Sequence, residues 1–220
     1  MKTAAYLLLF SCLITLSGCF EIVEQVFLKS DGTGNFQLVL NLSRSKTRLN
    51  SIMKMKTING HDVPSKEEIK NRIAEIEKTV AKTPGISSVK TSVDFDNFIT
   101  SISCDFKNVA RLNDVVKNIY TKENASKKAP EKIYEYHAGV FERLNNYSFK
   151  DDYKKLSNAD KEIFATANYT AVFKFESTVA GASNTQTRIA PSKKAVMLKL
   201  NALDVIHEKR SIENKINLTN

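Results

Sequence analysis

The chain of 220 residues has no tryptophan, four prolines, seven glycines and three cysteines. So few helix- and strand-breaking residues, with no low-complexity tract, exclude a long disordered stalk. Two of the cysteines, Cys12 and Cys19, belong to an N-terminal apolar run and its end. Cys104 is then the one thiol left to the body of the chain, so an internal disulfide framework is excluded and the fold must rest on its core. Cys104 lies in an alternating apolar run, which predicts a buried, inert side chain.

Catalytic signatures are missing as well. There is no Gly-x-Ser-x-Gly elbow, no phosphate-binding Walker loop, no His-Glu-x-x-His and no Cys-x-x-Cys. The three histidines, His61, His137 and His207, stand far apart in the chain. His207-Glu208 reads as a surface turn, and Glu135 with His137 as one polar strand face. Asp151-Asp152 lacks the oxygen-rich loop that calcium needs and reads as a solvated turn. No catalytic residue, metal ligand or cofactor is expected.

What the N-terminus does contain is specific. Lys2 precedes an apolar run from Ala4 to Leu16, which ends in Leu16-Ser17-Gly18-Cys19. Small residues at Ser17 and Gly18 suit the extended chain that a signal peptidase cleaves, and Cys19 supplies a thiol for a diacylglycerol thioether. This is the pattern of a bacterial lipobox. The run is too short to span a bilayer, which takes roughly 20 residues. Residues 1–18 are therefore expected to be a cleaved signal peptide and 19–220 a single domain. Acyl chains on Cys19 would hold that domain on a membrane of the cell envelope, on the periplasmic or surface side.

Acid is scarce in two zones. Lys and Arg number 33 against 24 Asp and Glu, a net charge of +9. From Gly32 to His61 there is no Asp or Glu, only Arg44, Lys46, Arg48, Lys54 and Lys56, with Ile52, Met53 and Met55 among them. From Ser177 to Leu203 there are Arg188, Lys193, Lys194 and Lys199, again without an acid. An exported, lipidated chain is a poor candidate for nucleic acid despite its charge. Arg44, Lys46, Arg48, Lys54 and Lys56 are the expected contacts for anionic headgroups, each contributing about 1 kcal/mol near such a surface. Anionic lipid or another envelope protein are the expected partners besides the anchoring membrane.

Hydrophobic periodicity predicts mostly strands. Residues 21–29 read as one strand, Asp31-Gly32-Thr33-Gly34 as a turn, and Phe36 to Leu42 as a second strand by period two. That alternation turns Leu38 and Leu40 toward the core and Gln37 and Asn41 away from it. Ser65 with Glu68 forms a capping box at the head of a helix over 65–82, with Ile69, Ile73, Ile76 and Val80 as its apolar stripe. A hairpin over 89–106, a helix over 109–120, two short strands around Ala138-Gly139 and a short helix capped by Ser157 follow. Further strands are expected over 169–176, 196–200 and 212–218. The segment 43–61 is open to reading as a short helix or an irregular excursion. The expected fold is α+β: an antiparallel sheet built from hairpins, with about three helices packed on one face.

The strand around Phe173-Lys174-Phe175, the Val179…Ser183-Asn184 segment and the strand Ala195–Leu200 together resemble the LppM-type lipoprotein domain. The lipobox and the early Asp31-Gly32-Thr33-Gly34 hairpin fit the same pattern. The resemblance implies a membrane-anchored α+β domain that binds lipids or glycolipids. The expected function is a non-catalytic envelope lipoprotein that binds a lipid or amphiphile or docks on a protein; the alternative is a structural subunit of an envelope assembly.

Overall fold

A computed structural model describes residues 20–123, 130 and 132–219. The lipobox residues Leu16, Ser17, Gly18 and Cys19 lie outside the described residues. The chain opens with the hairpin β1 (Glu21–Leu28) and β2 (Gly34–Asn41). After a 3-10 turn over Ser43–Ser45 come α1 (Lys46–Ile52) and the two-residue strands β3 (Thr57–Ile58) and β4 (His61–Asp62). Next are α2 (Lys66–Ala81), β5 (Ile86–Asp94), β6 (Ile99–Phe106) and α3 (Ala110–Glu123). The second half holds β7 (Tyr134–His137), β8 (Val140–Arg143), α4 (Lys150–Lys154), α5 (Asn158–Lys161) and a 3-10 turn over Glu162–Phe164. It ends with β9 (Asn168–Phe175), β10 (Thr178–Ala182), β11 (Arg188–Ile189), β12 (Ala195–Asn201), α6 (Ala202–Ile206) and β13 (Asn214–Thr219).

Seven strands form one sheet in the order β11-β12-β9-β1-β2-β6-β5, and four form another in the order β10-β13-β8-β7. The fold is α+β, but the sheet is not wholly antiparallel as expected. β9 returns beside β1 in parallel, with Glu21 opposite Asn168 and Leu28 opposite Phe175. Such pairing joins the two halves of the chain and leaves no local turn to announce it. Six α-helices occur among the described residues rather than about three. The extra ones, α1, α4 and α6, have five to seven residues, too few turns to repeat an apolar stripe. Asp151 and Asp152 start one of these, α4, rather than a turn. The uncertain segment 43–61 resolves into the 3-10 turn, α1 and the β3–β4 hairpin.

The helices and the second sheet share one face of the seven-stranded sheet. Reading across the strands, that face is a ladder of rows. The row Val196, Phe173, Val26, Phe36, Cys104 lies beneath the second sheet and α3. Phe141 of β8 stacks edge-on against Phe173 at 5.1 Å and Phe175 at 5.6 Å, and Tyr134 of β7 meets Phe36 at 6.3 Å. These edge-to-face pairs each add about 0.5–1.5 kcal/mol to the burial itself. α2 starts on the capping box: Glu68 N–H donates to Ser65 Oγ at 3.2 Å, and Ser65 N–H to Glu68 Oε2 at 2.7 Å. Gly34 is required at the start of β2, because a Cβ there would sit 2.0 Å from the Phe27 carbonyl oxygen and 2.5 Å from the Phe106 ring.

Cys104 is 1% exposed, and burial, aided by the charge of Asp105, pushes its thiol up to about 11. At pH 8 it therefore stays a protonated, inaccessible thiol. Ellman's reagent is expected to find no reactive Cys104 in the native protein and one equivalent in denaturant; rapid native modification of Cys104 would contradict this packing.

Candidate functional site

The next two rows of the same sheet face are buried at their β12 and β9 end but not fully covered over β2. One runs Leu200, Tyr169, Ile22, Leu40, Thr100, Val93, and the other Leu198, Ala171, Glu24, Leu38, Ile102, Thr91. Leu38 and Leu40 are 37% and 38% exposed, although β2 lies in the middle of the sheet. This corrects the expectation that both are core residues. They point to the inner side, as period two requires, but nothing packs fully onto them there. Gln37 and Asn41 do turn to the other side.

Two apolar hollows adjoin along the first of these rows. One, of about 280 Å³, lies over Ile22 and Tyr169 and is walled by Phe20, Phe149, Phe164, Val205, Ile206 and Ile212. The other, of about 380 Å³, lies over Leu40 and Thr100 and is walled by Leu49, Ile52, Met53, Ile58, Ile69 and Phe98. Ile22 and Leu40 are direct cross-strand neighbours, so the two floors are adjacent, although no residue lines both hollows. Together the hollows fall within the roughly 300–1,000 Å³ typical of small-molecule sites.

Each hollow has its own roof. Over the second, α1 turns Leu49 and Ile52 inward, while Ile58 and Val63 come from the β3–β4 hairpin and its exit. Over the first, Phe149 precedes α4 and Phe164 ends the 3-10 turn after α5. The Phe164 ring stands edge-on to Phe20 at 5.6 Å and to Tyr153 at 5.7 Å. The two roofs touch. Asn59 Nδ2 donates to Asp160 Oδ1 at 3.4 Å, and His61 Nε2 lies 3.4 Å from Asp160 Oδ2. Asp160 also belongs to the cap of α5, where its N–H donates to Ser157 Oγ at 3.1 Å. The Ser157 hydroxyl, and then the Asn59 amide, hold the Asp160 carboxyl below the usual range.

A buried ionic network closes the inner end of the first hollow. Arg143 on β8 grips Glu24 on β1 with both arms, Nε to Oε1 at 2.9 Å and Nη2 to Oε2 at 3.2 Å. Their side chains are 11% and 6% exposed. Tyr169 OH donates to Glu24 Oε2 at 2.8 Å, and the Tyr134 ring lies 5.2 Å from the guanidinium. Burial, reinforced by the Glu24 charge, raises both tyrosines well above their ordinary range, so Tyr169 remains a donor. For Arg143, burial disfavours the cation, but the facing carboxylate outweighs it and the net direction is upward. The hollow is thus apolar, and the polar groups at its base are paired with one another. The sequence held one signal of this: Glu24 is a carboxylate in an apolar alternation, Ile22, Glu24, Val26, Leu28. Nothing in the sequence pointed to Arg143.

Two depressions of about 500 Å³ elsewhere are polar. In one of them Asn113 is committed to structure: Oδ1 accepts from Ile133 and Tyr134 N–H, and Nδ2 donates to the Tyr134 carbonyl. Among the described residues no group of three His, Cys, Asp or Glu side chains is placed to hold a metal ion. No helix among them is long and apolar enough to cross a membrane.

The five basic residues of the first acid-free zone all lie exposed on the roof of the second hollow or at its start. Arg44 is the nearest to the N-terminus, sharing a small depression with Phe20, Glu21 and Lys199. Lys46 Nζ reaches Asn97 Oδ1 at 3.5 Å, while Lys54 and Lys56 flank Met55, which is 50% exposed.

No family model matches the chain, and no curated protein matches it. Among solved structures it is similar to the folded domain of the Mycobacterium tuberculosis LppM protein, determined by NMR. The identity is 11%, the match covers 92% of this chain and 90% of that one, and the TM-score is 0.43.

Proposed function

We propose that this chain is a non-catalytic, lipid-anchored envelope protein that holds an amphiphile in the hollows over Ile22 and Leu40. The observation that carries the reading is the pair of adjoining apolar hollows on the inner face of the sheet. Leaving Ile22 and Leu40 part-uncovered on a central strand pair forfeits burial, at about 25 cal/mol per Å². An apolar ligand chain recovers that energy. The Glu24–Arg143–Tyr169 network is paired within itself and leaves the lining of the first hollow apolar.

Phe20, which follows Cys19 in the chain, lines the first hollow. Arg44, Lys46, Arg48, Lys54 and Lys56, exposed on the same side, suit anionic headgroups. Their attraction is expected to fade with salt, because the Debye length is about 8 Å at physiological ionic strength. A structural subunit of an envelope assembly is the second reading. It draws on the opposite sheet face, where Phe27 and Met197 are each 38% exposed.

Leu40→Arg tests the cleft. Leu40 is already part-exposed, so the arginine can turn its head outward and the fold should persist. Its stem would fill the floor of the second hollow. Titration with a fluorescent long-chain fatty acid is expected to show binding weakened at least tenfold, with an unchanged circular dichroism spectrum. Equal affinity for the two proteins would place the amphiphile elsewhere.

A further inference from the structure

The contact between the two roofs has a chemistry unlike the rest of the cleft. The walls are apolar, but the roofs meet through polar, solvent-accessible groups: Asn59 and His61 at the tip of the β3–β4 hairpin, and Asp160 at the start of α5. Both distances are 3.4 Å; the His61 side chain is 70% exposed and that of Asp160 19%. A pair with one partner so exposed contributes little to stability, about 0–1 kcal/mol. The hairpin itself is two pairs long and ends in Asn59-Gly60, with φ of +50° and +80°, the left-handed geometry of a tight reversal. A hairpin so short has little hold of its own. The roof is therefore weakest at the join, directly between Ile58 over one hollow and Phe164 over the other.

The surfaces on either side of the join are amphipathic. On the hairpin side Met55, 50% exposed, stands between Lys54 and Lys56. On the other side Phe149 and Ile163 are 47% and 42% exposed, with Lys150, paired to Glu208, after the first and Glu162 before the second. Protruding apolar side chains among charged ones suit the boundary between headgroups and acyl chains. We infer that the seam between Asn59–His61 and Asp160 is the gate of the cleft, and that a bilayer acyl chain passes into the hollows through it. The inference rests on the cleft being an amphiphile site.

The test uses the full chain reconstituted in phosphatidylcholine vesicles that carry a diazirine fatty acid. Cysteines at Asn59→Cys and Asp160→Cys are bridged by a short bis-maleimide with a reducible spacer, and the bridge is verified by peptide mapping. Cys104 is buried and does not compete. On illumination, label on the peptides carrying Ile22 and Leu40 is expected to fall at least tenfold with the bridge closed and to return on reduction. The opposite variant, Asn59→Ala with His61→Ala, should speed the labelling. Equal labelling of those peptides with the bridge closed and open overturns the gate while leaving the amphiphile site standing. Absence of label from them in the unbridged protein overturns both.

Discussion

Glu24→Gln should destabilise the protein by about 3–5 kcal/mol, the cost of leaving a buried partner charge uncompensated. Arg143 keeps its position under the second sheet, between the Tyr134 ring and the Leu144 carbonyl, so the cation cannot swing to water. Glutamine retains the shape and one acceptor but removes the charge that outweighs the desolvation of the guanidinium. In a domain of about 200 residues, 1 kcal/mol corresponds to about 2–4 °C, so thermal denaturation should shift down by about 6–20 °C. The double substitution Glu24→Leu with Arg143→Met is expected to recover most of that loss, since apolar pairs of similar volume replace buried ion pairs at little cost. A melting curve unchanged by Glu24→Gln would show that the pair is hydrated.

Cys19→Ala is the second large effect. Each buried methylene contributes about 0.8 kcal/mol, and stable anchoring takes more than one chain. Without the thiol no diacylglycerol can attach, and a peptidase that needs the lipidated cysteine does not cleave. Metabolic labelling with a clickable palmitate is expected to show no incorporation, and a gel should show the longer precursor. Normal processing and acyl incorporation in the variant would overturn the lipobox.

Local order was legible in the sequence where it depends on neighbours. The β1–β2 and β5–β6 hairpins show their period-two runs around a turn. The head of α2 shows its Ser65 and Glu68, and α5 its Ser157. Pairings between distant segments left no such mark. β9 lies parallel to β1, and the second sheet assembles β7 and β8 with β10 and β13. The cleft was hidden for a different reason. Alternation tells which side Leu38 and Leu40 take, but burial depends on what stands opposite, and here the roofs come from residues 49–63 and 149–164. Two signals were present and specific: Asn59-Gly60 as a hairpin tip, and Glu24 breaking an apolar stripe. The first is the join of the two roofs, and the second is the base of the first hollow.

The claim at the centre of this account is that the space over Ile22 and Leu40 holds an amphiphile. Mass spectrometry of the protein, purified from its membrane in mild detergent and then sprayed under native conditions, measures this directly. The account predicts a species heavier than the covalently anchored chain by one amphiphile, which Leu40→Arg loses. A spectrum holding only the mass of the anchored chain, unchanged by added long-chain fatty acid, would contradict it.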